Sequence, residues 1–378
     1  MNSELSIFAA RLRDFIGFCE DELLQSAPAA ELQTHFDIGF NVMAIVLFGL
    51  QFKNNAAYRK ICEARKIFPN KITCWTQIPA VPTAAFKERE LTSLAPTERS
   101  AVFHSSGTTE QKPSRHFQCA DSLATYEASL WPWFAKHCRL PIADCRLAIL
   151  TPPPAQAPHS SLVHMFEIVR ARLSQPATSF LGHVQADGAW TLDYEAALAI
   201  LSPCAPHSVS QALLLLGTAF SFVHLLDFLA ANNLRLALPP GSRVMETGGY
   251  KNRSRSLPKA ELHMLITERL GVPPAQIICE YGMSELSSQA YDTEMRIADC
   301  GLRNFYFPPW ARVQIISPET SREVAEGETG LIRVFDLANV YSVMVIETDD
   351  LGIRRGDGFE LLGRAALAAP RGCSLMTV

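Results

Sequence analysis

The chain has 378 residues, 48% of them apolar and 19% charged, with a formal net charge of −4. That is enough chain for two or three packed layers around a substantial core. The slightly acidic balance, with no Lys/Arg-rich block, excludes a protein that grips nucleic acid through a basic stripe.

The first 70 residues have a helical pattern. Leu5, Phe8, Leu12, Phe15 and Ile16 fall on one helical face, and Ser3 is suited to cap its start. A second helical region covers about 36–66, followed by an extended, proline-punctuated segment from Trp75. Glu4, Arg11, Arg13 and Asp14 interrupt the apolar run that a secretory signal requires. The apolar stretch 36–50 is broken by Asp37 and Asn41, and 212–231 by His224 and Asp227. Both are therefore expected in the core, and neither as a membrane span.

From about residue 100 short apolar runs alternate with helical patterns. Strands are expected at 101–103, 147–150, 213–216, 244–246 and 277–279. Helices are expected near 122–137, 160–173, 220–232 and 258–270, the last opened by Pro258 and stopped by Gly271. This alternation predicts an α/β sheet with helices on its faces. After Tyr291 the pattern turns β-rich, with strands expected at 313–316, 331–335 and 341–347. Ten cysteines are scattered with no CxxC pair and no Cys/His ladder at zinc spacing, which suits free thiols in a reducing cytoplasm. No GxSxG elbow supports a serine hydrolase.

Three segments carry chemistry. The loop HSSGTTEQKPSRH over 104–116 follows an expected strand. Ser105, Ser106, Thr108 and Thr109 offer four hydroxyls, and Gly107 lets backbone N–H groups turn inward. Lys112, Arg115 and His116 are expected to supply positive charge near a polyphosphate. The spacing is not that of the GxxxxGK[ST] phosphate loop, and the same residue types also suit a polar surface loop. The second segment, EYGMSE over 280–285, follows a strand and puts Tyr281, Gly282, Ser284 and Glu285 where open α/β sheets bind ligands. Tyr281 can stack on a base, Ser284 can donate to phosphate and Glu285 can hold Mg²⁺. The third, ETDDLG over 347–352, sets Asp350 at a strand end, suited to a ribose diol.

The order SSGTT, YGMSE, TDDLG and then Gly363-Arg364 resembles the adenylate-forming superfamily of acyl- and aryl-CoA ligases. More narrowly, IPAVPTAAFK over 78–87, the 105–116 loop, METGGY over 245–250 and RGCSL over 371–375 resemble the LuxE-type acyl-protein synthetases. The resemblance covers most of the chain from about residue 70. It implies the large N-terminal domain of an adenylate-forming enzyme over 1–363. Its parts would be a helical stretch (1–99), an α/β stretch with the ATP site (100–290) and a small β subdomain (291–363). A short tail, 364–378, would follow.

The activity implied is ATP- and Mg²⁺-dependent activation of a carboxylic, fatty acid to an acyl-adenylate, then transfer to a thiol. Carried onto this sequence, Ser105, Ser106, Gly107, Thr108, Thr109 and Ser114 would sit at the triphosphate. Gly248 and Gly249 would flank the adenine, with Tyr281 against its face. Gly282, Ser284 and Glu285 would serve the α-phosphate and Mg²⁺, Asp350 the ribose, and Arg364 ribose or phosphate. His159 and Tyr250 would lie near the acyl group. Cys373 would take the acyl group for delivery to a reductase or acyl-carrier partner. Arg371 beside it can lower a thiol pKa, and Gly372 would let the tail bend.

Two departures stand out. Glu110 replaces the glycine that the superfamily places after the two threonines. The superfamily's C-terminal domain and its lysine are not expected in the short stretch 364–378, and Lys112, Arg115 or His116 would then neutralise developing charge. Two other readings remain at this level. The acceptor could be coenzyme A or a carrier-protein thiol, or the chain could be a non-catalytic nucleotide-binding subunit. The size of the acid pocket is expected to depend on Phe166, Phe220, Phe222 and Tyr250.

Overall fold

The computed structural model describes residues 3–25, 30–105, 112–139, 145–202, 211–249, 254–292 and 303–365. The N-terminal helices are α1 (Ser3–Gln25), α2 (Ala30–Asn54), α3 (Ala56–Ala64) and the short α4 (Ala85–Glu88). Further along come α5 (Ala120–Cys138), α6 (Ser161–Arg172), α7 (Tyr194–Leu201), α8 (Ala219–Ala231) and α9 (Lys259–Leu270). The strands of the first half are β1 (Val81–Pro82), β2 (Ala101–His104), β3 (Arg115–Gln118), β4 (Arg146–Ile149), β5 (Gly182–Val184), β6 (Trp190–Leu192) and β7 (Leu213–Thr218). Then follow β8 (Arg243–Thr247), β9 (Ile277–Tyr281), β10 (Ala290–Asp292), β11 (Asn304–Tyr306), β12 (Ala311–Ile316), β13 (Thr329–Asp336), β14 (Val345–Arg355) and β15 (Gly358–Arg364).

One eleven-stranded sheet organises these elements, in the order β12-β13-β14-β15-β11-β10-β9-β8-β7-β4, with β1 added alongside β14. The β4, β7, β8 and β9 pairings are parallel, and from β9 to β12 they are antiparallel. The α/β stretch and the β-rich stretch thus share one sheet.

Parallel strands buried on both faces read as apolar runs, and the period-two alternation sorts their side chains between two cores. Leu147, Ile149, Leu214 and Leu216 face one core with Leu12 of α1, Tyr126 of α5 and Phe166 of α6. Ala148, Leu150, Leu213 and Leu215 face the other with Leu201 of α7, Leu225 of α8 and Ile266 of α9. Local chemistry sets the helix ends. Ser160 and Thr218 cap α6 and α8, accepting from Val163 N–H and Ser221 N–H at 3.2 Å. Gly271 stops α9 in a left-handed conformation at φ 70°.

Within α2, residues Thr34–Asn54 are long and apolar enough to cross a membrane. Phe36, Phe40, Ala44, Leu47 and Phe48 are nevertheless buried in the core on one face. The two polar interruptions have partners: Asp37 pairs with Arg312 at 2.8 Å, and Asn41 accepts from Trp75 N–H at 2.8 Å. The strand expected at 341–347 begins only at Val345. Asn339 and Ser342 are instead buried in a turn ahead of it.

Candidate functional site

β2 and β3 form a hairpin paired from Ala101↔Gln118 to His104↔Arg115. Past the last pair, Ser105 N–H donates to Ser114 O at 3.4 Å and Ser114 N–H donates to Ser105 Oγ at 3.0 Å. These bonds close the neck of the Ser/Thr/Gly loop. Its tip, with Ser106, Gly107, Thr108, Thr109 and Glu110, lies outside the described residues. Ser114 Oγ is buried with no hydrogen-bond partner among the described residues. Such a hydroxyl costs stability until an acceptor or donor meets it, and a ligand oxygen at the loop would do so.

Alternation along β3 sends Arg115 and His116 to opposite sides. Arg115 pairs with Glu90 at 3.2 Å and lies 5.6 Å from the Phe117 ring. His116 is buried, and its Nδ1 is 2.7 Å from Ser284 O. A carbonyl only accepts, so Nδ1 carries the proton. Burial pushes the His116 pKa down to about 4. The ring is therefore neutral near pH 7, which corrects the expectation that it supplies positive charge; it pins the hairpin to the segment after β9. Lys112 is exposed beside the loop.

The ends of β8 and β9 lie side by side, with Thr247 paired to Glu280 in register. The Thr247 hydroxyl donates to the Glu280 carboxylate, and burial raises the Glu280 pKa to about 7. Gly248 adopts φ 70°, a left-handed conformation that glycine takes without strain, and a Cβ at Gly249 would meet no atom of the described residues within 4 Å. Gly282 is required for a different reason: a Cβ there would lie 2.2 Å from Glu280 Oε1. Ser284 Oγ donates to Glu285 Oε2 at 2.9 Å, and both residues are buried.

Two residues not anticipated from the sequence hold this turn from behind. Asp336, fully buried at the end of β13, accepts from Ser287 N–H and Ser288 N–H at 2.8 Å and from Ser288 Oγ at 2.7 Å. Asn339 Nδ2 donates to Glu285 O at 2.9 Å, and its Oδ1 accepts from Ser287 Oγ at 2.7 Å. Their only sequence signal is an acid and an amide in FDLAN, just past an apolar strand.

Tyr281, at the end of β9, is buried edge-on against Phe305, Phe307 and Phe359. Its hydroxyl donates to Asp350 Oδ2 at 3.0 Å. Burial raises the pKa of Asp350, while the Tyr281 hydroxyl and Arg364 act to lower it. Asp350 faces Arg364 in the β14–β15 register, and Arg364 Nε is 3.8 Å from Asp350 Oδ1. A continuous chain of contacts thus joins the hairpin, the 280–285 segment, Asp350 and Arg364.

This ordered set belongs to a recognisable lineage. The profile of the family described as acyl-protein synthetase, LuxE, matches residues 17–377. The chain belongs to the LuxE family of acyl-protein synthetases. It is 24% identical over 350 residues to the long-chain-fatty-acid–luciferin-component ligase of Aliivibrio fischeri, covering 87% of this chain and 85% of that protein. The ligase of the same name from Vibrio harveyi is also 24% identical, over 334 residues, covering 86% and 83%. Among solved structures, 2-hydroxyisobutyryl-CoA ligase with 2-HIB-AMP in the postadenylation state superposes with a TM-score of 0.62 at 13% identity. It covers 90% of this chain and 72% of that one. The same ligase with R3-HIB-AMP gives 0.63 at 13% identity over the same shares. The fold is that of the adenylate-forming ligases.

For this LuxE family member, His159 lies beside the loop neck. It is exposed, stacks on His104 with ring centroids 4.6 Å apart, and its backbone carbonyl accepts from His104 N–H at 2.9 Å. Phe166 and Phe222 fall in the two cores on opposite faces of the sheet. Their strand-following helices pack on different faces. A cavity of about 870 Å³ opens at the start of β8 and β9, lined by Trp133, Arg243, Ile277, Arg303 and Phe307. It includes none of the residues in the contact chain. Tyr250 and Cys373 lie outside the described residues.

Proposed function

We propose that the chain activates a long-chain fatty acid with ATP and passes the acyl group to a thiol. The observation that carries this reading is the contact chain linking the Ser105/Ser114 neck through His116, Ser284, Tyr281 and Asp350 to Arg364. It joins hydroxyls at the end of β9, where nucleotides bind in this architecture, to the Asp350 carboxylate and to an exposed guanidinium at the end of β15. Asp350 lies in the middle of β14 and not at a strand end as its sequence suggested. Family membership supplies the reaction class, and the two curated relatives are named for long-chain fatty acids.

In the first step a carboxylate oxygen of the acid bonds to the α-phosphorus of ATP. The bond to the β-phosphate oxygen breaks, and pyrophosphate leaves. In the second, a thiolate attacks the acyl carbon, the bond to the phosphate oxygen breaks, and AMP leaves. Asp350 would accept from the ribose hydroxyls, and Ser105 and Ser114 would frame the triphosphate loop. Mg²⁺ usually takes one or two protein carboxylates and completes its shell with phosphate oxygens and water. Glu285, a buried carboxylate beside the Ser284 hydroxyl, fits that demand. Bound there, the ion would neutralise phosphate charge, while the chain itself would position the nucleotide. Cys373 would be the acyl-accepting thiol, with an acyl reductase as the partner that receives the group.

The test is ATP–pyrophosphate exchange across a panel of fatty and aromatic acids, followed by labelling with radioactive acid. Exchange that requires a long-chain acid is expected, with hydroxylamine-labile label on the wild type and none on Cys373→Ser. Exchange with no acid would overturn the activation. Equal label on Cys373→Ser would move the acceptor elsewhere.

A further inference from the structure

Behind the site, between β8, β9 and α9, Glu246, His263 and Cys279 bring a carboxylate, an imidazole and a thiol together. All three are buried. Three different elements supply them, so their convergence is a product of the fold and not of a local turn. We infer that Glu246, His263 and Cys279 form a binding site for a divalent transition-metal ion of the zinc class.

The donor set is the first argument. Imidazole nitrogen, thiolate sulfur and carboxylate oxygen are the ligands zinc takes in proteins, and hard cations such as Mg²⁺ avoid sulfur. Geometry is the second. Tetrahedral zinc with ordinary bond lengths sets its nitrogen and oxygen ligands about 3.3 Å apart and its sulfur and nitrogen ligands about 3.5 Å apart. Here His263 Nε2 is 3.3 Å from Glu246 Oε1, and Cys279 Sγ is 3.5 Å from His263 Nε2. The third edge, Cys279 Sγ to Glu246 Oε1, is 2.8 Å. That is a thiol donating to a carboxylate, and the edge would open to about 3.5 Å once an ion replaces the proton.

Binding takes Cys279 as the thiolate and His263 as the neutral imidazole, so one proton leaves the thiol for solvent as the ion enters. A water completes the fourth position. Lys259 Nζ lies 3.7 Å from the same Glu246 oxygen, interacts with Cys279 and sits 4.8 Å from the Phe305 ring centroid, so an entering ion would have to displace this ammonium.

The position gives the ion a structural role. Glu246 lies two residues before Gly248, and Cys279 two before Tyr281. An ion here would staple β8 to β9 just below the ends that carry the nucleotide segments. This inference does not depend on which acid is activated or on the acceptor thiol.

Metal content of the full-length protein, purified without chelator and then dialysed against zinc, tests it. About one zinc per chain is expected, falling at least fivefold in His263→Ala and Cys279→Ser. Cobalt(II) replacement should give a thiolate-to-cobalt charge-transfer band on the wild type that Cys279→Ser lacks. That control separates this site from the other cysteines. Because the wild type carries the first measurement, a variant that fails to fold does not remove the test. Zinc below about one-tenth of an ion per chain, or a cobalt band unchanged in Cys279→Ser, would overturn the inference. The cluster would then be a hydrogen-bonded network neutralised by Lys259.

Discussion

The Tyr281 hydroxyl donates to Asp350 across 69 residues of chain at 3.0 Å, which locks the end of β9 to the middle of β14. The bond orients one Asp350 oxygen and leaves the other toward Arg364. Tyr281→Phe should keep the ring packing while releasing Asp350. The expected outcome is a loss of about 1 kcal/mol in stability and a rise in KM for ATP with kcat changed less. Urea unfolding and pyrophosphate-exchange kinetics across ATP concentrations measure the two effects. An unchanged KM would show that the bond orients nothing the nucleotide needs.

His116 couples stability to acid. Its folded pKa, about 4, lies below the ordinary histidine value of about 6.5, because burial disfavours the charged ring. The unfolded state therefore binds the proton more tightly. Stability is full above about pH 6.5 and is lost as pH falls toward 4, by up to about 3 kcal/mol for this group. Urea midpoints of wild type and His116→Gln at about pH 7.5 and pH 5 check this. The wild type should lose more on acidification than the variant.

Gly282→Ala tests the crowding at the end of β9. The added methyl would sit 2.2 Å from Glu280 Oε1, and that carboxylate is itself held by Thr247. Relief means displacing a buried carboxylate or the turn. A destabilisation of about 1–3 kcal/mol is expected, with a larger fractional loss of exchange activity than Gly249→Ala, whose Cβ meets nothing within 4 Å among the described residues. Equal effects at the two glycines would remove the steric account.

Asp336 is the buried acceptor for the turn after Glu285. Asp336→Asn keeps the shape but replaces one oxygen with a donor that faces other donors. Depending on which end turns inward, the amide meets Ser287 and Ser288 N–H, or Ser288 Oγ and Ala338 N–H. The expected cost is about 2–4 kcal/mol, and Asp336→Ala should be no milder. Thermal unfolding measures it. A variant as stable as wild type would mean that Asn339 alone holds the turn.

Period and punctuation in the sequence determined the helices near 122–137 and 258–270, the apolar parallel strands, and the order of the SSGTT, YGMSE and TDDLG segments. They did so because a buried strand must be apolar on both faces and a helix end must satisfy its own backbone groups. Only the tertiary structure decided how those segments meet. Whether His116 is charged depends on burial, and burial depends on Ser284 lying over it. That Phe166 and Phe222 belong to different cores depends on which face of the sheet each helix packs against. Asp336 and Asn339, and the Glu246–His263–Cys279 cluster, gain their meaning from neighbours distant in sequence. Periodicity reports which side of an element is apolar; it carries no record of which polar atom will stand opposite once the sheet has formed.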